Sequence, residues 1–268
     1  MTDTAIVYPF PMHLSQGYTY HLSILQFVHT LSKLNTVYLM TLDSERQIRG
    51  ILSQQFGHEK PMGLKIITIQ NEYLGLKSNT LFFRLSALIK IREIAKKYAD
   101  VVIYTRNVKL ASFLFPLKKS LLKNVHFVFE CHQIYSINLA LEKKFTQARR
   151  EYSLEQKVYK YADLTFVNTK FLQILLEKGY KTTIQKIPLA VADSDVSNEP
   201  LRIGFDQRPY DFVYSGSFSH WKGVHILVEA LILMRDQDWS GKAILIGCKS
   251  NEFQEWQMAI KERNAESF

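Results

Sequence analysis

Apolar and polar positions along the chain fall into two rhythms that alternate. Short runs rich in β-branched and aromatic residues occur at Thr4–Pro9, Thr36–Leu42, Leu64–Ile69, Val101–Thr105, Val125–Glu130 and Leu164–Asn168. Between them, apolar residues recur at helical spacing near 19–33, 44–57, 80–98, 107–119, 137–162 and 169–178. Strands alternating with helices in this way predict a parallel sheet flanked by helices. Val101–Tyr104 and Phe127–Phe129 are apolar without interruption, the pattern of strands buried on both faces. In 80–98 the spacing puts Leu81, Leu88, Ile91, Ala95 and Tyr98 on one side and Ser86, Lys90, Glu93 and Lys97 on the other. That describes a helix packed on the sheet with a solvated basic face, or a basic amphipathic helix lying on a membrane.

The rhythm breaks over 192–210, where Ala-Asp-Ser-Asp-Val-Ser-Asn-Glu-Pro leads into Phe-Asp-Gln-Arg-Pro, a polar, proline-containing linker. It restarts with a strand at Asp211–Ser215, a helix near 222–235, a strand at Lys242–Gly247 and a helix near 251–263. The expected organisation is a Rossmann-like domain over 1–191, a linker over 192–210, and an incomplete second domain over 211–268.

Composition adds little until it is divided. Apolar residues at 47% and charged residues at 22% describe an ordinary globular protein, not a disordered one. Cys131 and Cys248 lack metal-type spacing and read as reduced thiols of a cytosolic protein. No basic leader or membrane-length apolar run is present in the sequence, which predicts a cytoplasmic location. Residues 1–190 hold 26 Lys+Arg against 13 Asp+Glu, an excess of 13 positive charges, whereas 191–268 hold 8 against 12. Such asymmetry points to an anionic partner for the first domain: lipid headgroups, a phosphorylated carrier or nucleic acid. No recognisable nucleic-acid motif accompanies the charge, so nucleic acid is not the expected partner.

The chemistry-bearing segment of the second domain is Tyr214-Ser-Gly-Ser-Phe-Ser-His-Trp-Lys-Gly-Val-His. A strand runs into a turn at Gly216, and Lys222-Gly223 opens a helix. Open parallel sheets bind ligands at the carboxyl ends of their strands, and a helix N-terminus offers N–H groups to phosphate. Lys222 would add a full charge where a diphosphate leaving group gains negative charge.

The stretch YSGSFSHWKGVHILVEAL resembles the donor-domain signature of family-4 glycosyltransferases of the GT-B fold. Three further segments are similar to that family in the same order: VFECHQ (128–133), ADLTFVNTKFLQILLEKGY (162–180) and KIPLAVADSDV (186–196). Together they cover most of 100–247. The resemblance implies a GT-B-like α/β fold and a retaining, hexosyl-type glycosyltransferase with no bound metal or other cofactor. Its partners would be a nucleotide-sugar donor and a glycan or lipid-linked acceptor, in cell-envelope polysaccharide or glycolipid synthesis at the inner face of the cytoplasmic membrane. Catalysis would stabilise an oxocarbenium-like transition state and a departing diphosphate. Position by position, His132 would sit beside the sugar's reactive carbon, with Glu130 orienting it or touching acceptor. Gly17, in the Ser-Gln-Gly-Tyr loop, would let backbone approach the donor, Gly216 and Lys222 would hold its diphosphate, and Arg106 would reach an anionic acceptor. Three departures stand out. Ser217 occupies a position where the family commonly has Arg, Ala190 one where Gly is common, and the family's paired-Glu motif would lie beyond Phe268. The competing expectation is therefore a truncated, non-catalytic fragment, or half of a split enzyme that needs a partner.

Overall fold

A computed structural model of the chain describes residues 4–16, 19–56, 61–69, 72–73, 76–77, 80–180, 182–187, 207–218, 222–248, 254, 256–258 and 261. The chain forms two compact units, Met1–Ala190 and Val191–Phe268. Most of the expected linker and Gly17 lie outside the described residues.

In the first unit, β1 (Thr4–Pro9), β2 (Thr36–Thr41) and β3 (Leu64–Thr68) alternate with α1 (Thr19–Ser32) and α2 (Glu45–Phe56). A short antiparallel pair, β4 (Glu72–Tyr73) and β5 (Leu76–Lys77), precedes α3 (Thr80–Ala95). Then come β6 (Asp100–Thr105), α4 (Val108–Leu114), α5 (Lys118–Leu121), β7 (Val125–Cys131), α6 (Tyr135–Leu141) and α7 (Phe145–Tyr161). The unit closes with β8 (Leu164–Val167), α8 (Lys170–Gly179) and β9 (Ile184–Lys186). Seven strands form one parallel sheet in the order β3-β2-β1-β6-β7-β8-β9. Strand order reverses between β1 and β6, so the crevice at their carboxyl ends is where an open sheet of this kind takes ligands.

Alternating residues of each central strand feed two cores. Ala5 and Val7, Val101 and Ile103, and Phe127 and Phe129 pack with α3, α4, α7 and α8 residues on one face. Tyr8, Tyr104 and Val128 face α1 and α2 residues such as Leu25, Val28, Ile48 and Leu52 on the other. Covered on both sides, the central strands lack the polar alternation of a half-exposed sheet, which is why they read as continuous apolar runs. Phe127 is fully buried against Phe115, with ring centroids 4.5 Å apart. Truncation of such a ring to alanine costs about 3–5 kcal/mol.

Three local expectations need correction. The single helix expected over 137–162 is two, α6 and α7, because Lys143 adopts a left-handed φ of 59°. Lys143 N–H bonds Ala140 O at 2.9 Å and Lys144 N–H bonds Leu139 O at 2.8 Å, the paired bonds that end a helix when the residue past its end turns left-handed. In α3 the buried stripe is Phe83, Ala87, Ile91 and Ile94, whereas Leu81, expected inside, is 50% exposed. Last, β9 was not foreseen. It is short, at the sheet edge, and only its first residue is half-buried, so it lacks the apolar signature of its neighbours.

The second unit has β10 (Phe212–Ser215) and β11 (Ala243–Ile246) in parallel, joined through α9 (Val224–Arg235). These match the expected restart of the pattern. Of the helix expected near 251–263, only 254, 256–258 and 261 are described, and they are helical.

Candidate functional site

Three neighbouring strands of the first unit deliver their carboxyl ends to one place. Tyr104 is the next-to-last residue of β6, Arg106 follows it, Glu130 is the next-to-last residue of β7, His132 follows that strand, and Asn168 follows β8. Glu130 joins them. Its Oε2 accepts from Tyr104 Oη at 2.6 Å and from Arg106 Nε at 2.8 Å, and its Oε1 lies 2.6 Å from His132 Nε2. Burial alone would push the Glu130 carboxyl upward. The His132 hydrogen bond, the Arg106 charge and hydrogen bond and the Tyr104 hydroxyl outweigh it and hold the pKa down at about 2. Glu130 is therefore an ionised acceptor near neutrality, with no proton of its own to give. The hydrogen in its contact with His132 belongs to the ring: Nε2–H donates to Glu130. Nδ1 then accepts from Asn168 Nδ2 at 3.4 Å.

Packing fixes the rest of the cluster. Arg106 lies over the Phe27 ring from α1, 5.8 Å from its centroid, and its side chain is 22% exposed. Tyr8 of β1 stacks on Tyr104 at 5.8 Å, and its buried hydroxyl finds no hydrogen-bond partner among the described residues. Burial drives both tyrosine pKa values well up, so both keep their phenolic protons. Beside His132 a cleft of about 260 Å³ opens between α6 and α8. Asn138, Asn168 and Thr169 supply polar edges, and Ile137, Phe171 and Leu175 supply apolar wall.

A second polar centre organises the loop after β1. Asp43, fully buried just past β2, accepts from Ser15 Oγ at 2.6 Å and His13 Nδ1 at 3.1 Å through Oδ1. Its Oδ2 accepts from the backbone N–H groups of Leu14 and Ser15. Burial raises its pKa; these four donors overcome that and lower it. The loop that leads to Gly17 is thus tied down by a carboxylate about 30 residues away in sequence. Sequence reasoning missed Asp43 because a strand-end Asp before a helix looks like an ordinary turn residue. The adjoining Ser44–Gln47 capping box, with Ser44 N–H on Gln47 Oε1 at 2.8 Å, strengthens that impression.

In the second unit, Gly216 directly follows β10, and its N–H bonds Ile246 O at 2.9 Å. Gly247, just past β11, has φ +112°, and a Cβ there would lie 2.2 Å from Gly216 O. Lys222 is exposed, one residue before Gly223, whose φ of 73° opens α9. Gly216 and Lys222 thus belong to one strand-to-helix connection at the carboxyl edge of this small sheet. In the first unit His132, Glu130 and Arg106 are brought together around one carboxylate. Tyr104 and Asn168 join them unforeseen, since only strand adjacency relates them to Glu130 and His132.

Among the described residues no group of three His, Cys, Asp or Glu side chains is arranged to hold a metal ion. Nor is any helix among them long and apolar enough to cross a membrane.

No family model matches the sequence, and no curated protein sequence does. Solved structures are similar across nearly all of the chain. Sucrose-phosphate synthase from Thermosynechococcus elongatus has a TM-score of 0.69 at 14% identity, with 98% of this chain and 68% of that one covered. The catalytic domain of starch synthase IV from Arabidopsis thaliana, bound to ADP and acarbose, has a TM-score of 0.59 at 12% identity, covering 100% and 73%. The lipopolysaccharide outer core galactosyltransferase WaaB in its apo form has a TM-score of 0.55 at 15% identity, covering 98% and 66%. The chain therefore has the α/β architecture of GT-B glycosyltransferases, and it spans about two thirds of the length of sucrose-phosphate synthase and of WaaB. At such identities the likeness defines the fold and not the substrate.

Proposed function

We propose that the protein is a retaining glycosyltransferase that moves a hexosyl-type sugar from a nucleotide-sugar to a glycan or lipid-linked acceptor. The pathway we assign it is cell-envelope polysaccharide or glycolipid synthesis on the cytoplasmic side of the membrane. The observation that carries this is the Glu130-centred cluster at the carboxyl ends of β6, β7 and β8, next to the strand-order reversal between β1 and β6 of a GT-B-like sheet. In this reading 1–191 is the acceptor-side domain and 211–268 belongs to the donor-binding domain.

Charge and geometry support the roles that the resemblance implies. His132 meets the sugar at its reactive carbon, where an oxocarbenium-like transition state gathers positive charge. Glu130, ionised near neutrality and tied on both oxygens, acts as a positioning residue that fixes the imidazole and adds negative potential beneath that carbon. Arg106 balances Glu130 and lends the acceptor side a cation. The N–H groups that open α9, with Gly216 and Lys222 before them, receive the diphosphate as it leaves. Lys222 then does the electrostatic work that a bound metal does elsewhere.

The test is calorimetry with UDP-glucose, ADP-glucose and GDP-mannose on the protein as its gene encodes it. We expect at least one donor to bind and Lys222→Ala to weaken it about tenfold or more. Transfer should persist in EDTA, and NMR should show the donor's anomeric configuration kept in the product. Failure to bind any nucleotide-sugar or free nucleotide would sink the proposal. An inverted product would refute retention alone.

A further inference from the structure

Helix α3 has two apolar stripes, and the sheet uses only one. Phe83, Ala87, Ile91 and Ile94 are buried in the core, at successive spacings of four, four and three residues. Leu81, Leu85, Ile89 and Arg92 repeat that spacing two positions out of phase, and Lys96 continues the line one turn further. Leu81, Leu85 and Ile89 are 50%, 45% and 58% exposed, and Arg92 and Lys96 are exposed as well. The outward line is therefore apolar along its first half and cationic along its second. Lys90 and Lys97 flank it, with Lys90 paired to Glu93 at 2.9 Å. Adjacent large apolar side chains left in water on one helix face mark an interaction surface.

We propose that this outer face of α3 docks the protein on an anionic lipid surface. Leu81, Leu85 and Ile89 would enter the headgroup–acyl boundary, and Arg92 and Lys96 would meet lipid phosphates. Charge decides the occupant. The unit that carries α3 holds 26 Lys+Arg against 13 Asp+Glu, so two copies of this face would repel each other, whereas an anionic bilayer would attract it. Nucleic acid would satisfy the cationic half and leave the three aliphatic side chains in water. A lipid interface satisfies both halves. The inference deepens the transferase reading by giving its lipid-linked acceptor a surface, but its test is separate from donor binding.

Full-length protein is sedimented with phosphatidylcholine vesicles, and with vesicles in which part of that lipid is replaced by phosphatidylglycerol. Binding is expected to the anionic vesicles only, and to weaken as salt rises. Two double variants, L85Q/I89Q and R92E/K96E, change exposed positions only and should keep the parent's circular dichroism and melting temperature. Each is expected to bind at least about tenfold more weakly. Absence of binding to either vesicle, binding untouched by both variants, or a dimer that L85Q/I89Q dissociates would each overturn the proposal. So would an oligonucleotide that binds as tightly to L85Q/I89Q as to the parent while the parent ignores vesicles. Calorimetry with donors reads the transferase proposal independently, so either can fail while the other stands.

Discussion

At the scale of single residues, Glu130 is the side chain with the most consequences. Its folded pKa of about 2 lies below the ordinary 4.5, so the folded state prefers it ionised. The stabilisation this confers is complete above about pH 4.5 and drains away as pH falls through 4.5 towards 2. Replacement by Gln turns one acceptor oxygen into an amide that faces a donor, and it leaves Arg106 without its counter-charge. We expect Glu130→Gln to lose about 2–3 kcal/mol near neutrality and to flatten the acid limb of the stability curve over that window. Urea unfolding across acid pH measures both effects. A variant as acid-sensitive as the parent would show that Glu130 is not the titrating group.

Among the elements, the clearest prediction concerns the break between α6 and α7. Lys143 sits at φ 59°, a region that costs a side chain about 1–2 kcal/mol and glycine almost nothing. Lys143→Gly should therefore stabilise the protein by about 1 kcal/mol, read as a higher unfolding midpoint. A fall in stability would mean that the lysine side chain makes contacts worth more than the strain. The same position shows what local sequence could not convey. Helix ends are legible when glycine or proline marks them, and Glu142-Lys143-Lys144 carries no such mark. The central strands were legible because burial on both faces leaves an unbroken apolar run, whereas β9 was not, being short and largely exposed. The second stripe of α3 was hidden for a related reason. With apolar residues on both sides, helical periodicity alone does not say which side meets the sheet. At the site, His132, Glu130 and Arg106 could be singled out through the resemblance to family-4 glycosyltransferases, on segments that read as strand ends. Their joining partners could not be foreseen. Tyr104 and Glu130 are 26 residues apart, His132 and Asn168 36, and His13 and Asp43 30, separations bridged only by strand pairing and loop closure.

The whole molecule is two units built by the same rule, a parallel sheet with candidate site residues at its carboxyl edge, but at unequal scale. The first unit has a seven-stranded sheet with two buried cores. The described part of the second has a two-stranded sheet, with Phe212 and Val213 of β10 exposed to 40% and 65%. Apolar burial sets most of a domain's stability, so the second unit should be the weaker and should unfold at lower denaturant. Its most sensitive point is Gly247. The φ of +112° is strained for any residue with a side chain, and a Cβ would fall 2.2 Å from Gly216 O, backbone that cannot rotate away. Gly247→Ala must therefore push β10 and β11 apart at the edge where Gly216 begins the connection to Lys222. A loss of about 2–4 kcal/mol is expected, confined to the second unit. Hydrogen exchange read peptide by peptide separates the possibilities. Faster exchange over 212–246 with unchanged protection of β1, β6 and β7 is the expected result. Equal acceleration in both units would mean that they unfold as one cooperative body, and no change in either would mean that Gly216 and Gly247 do not meet as closely as described.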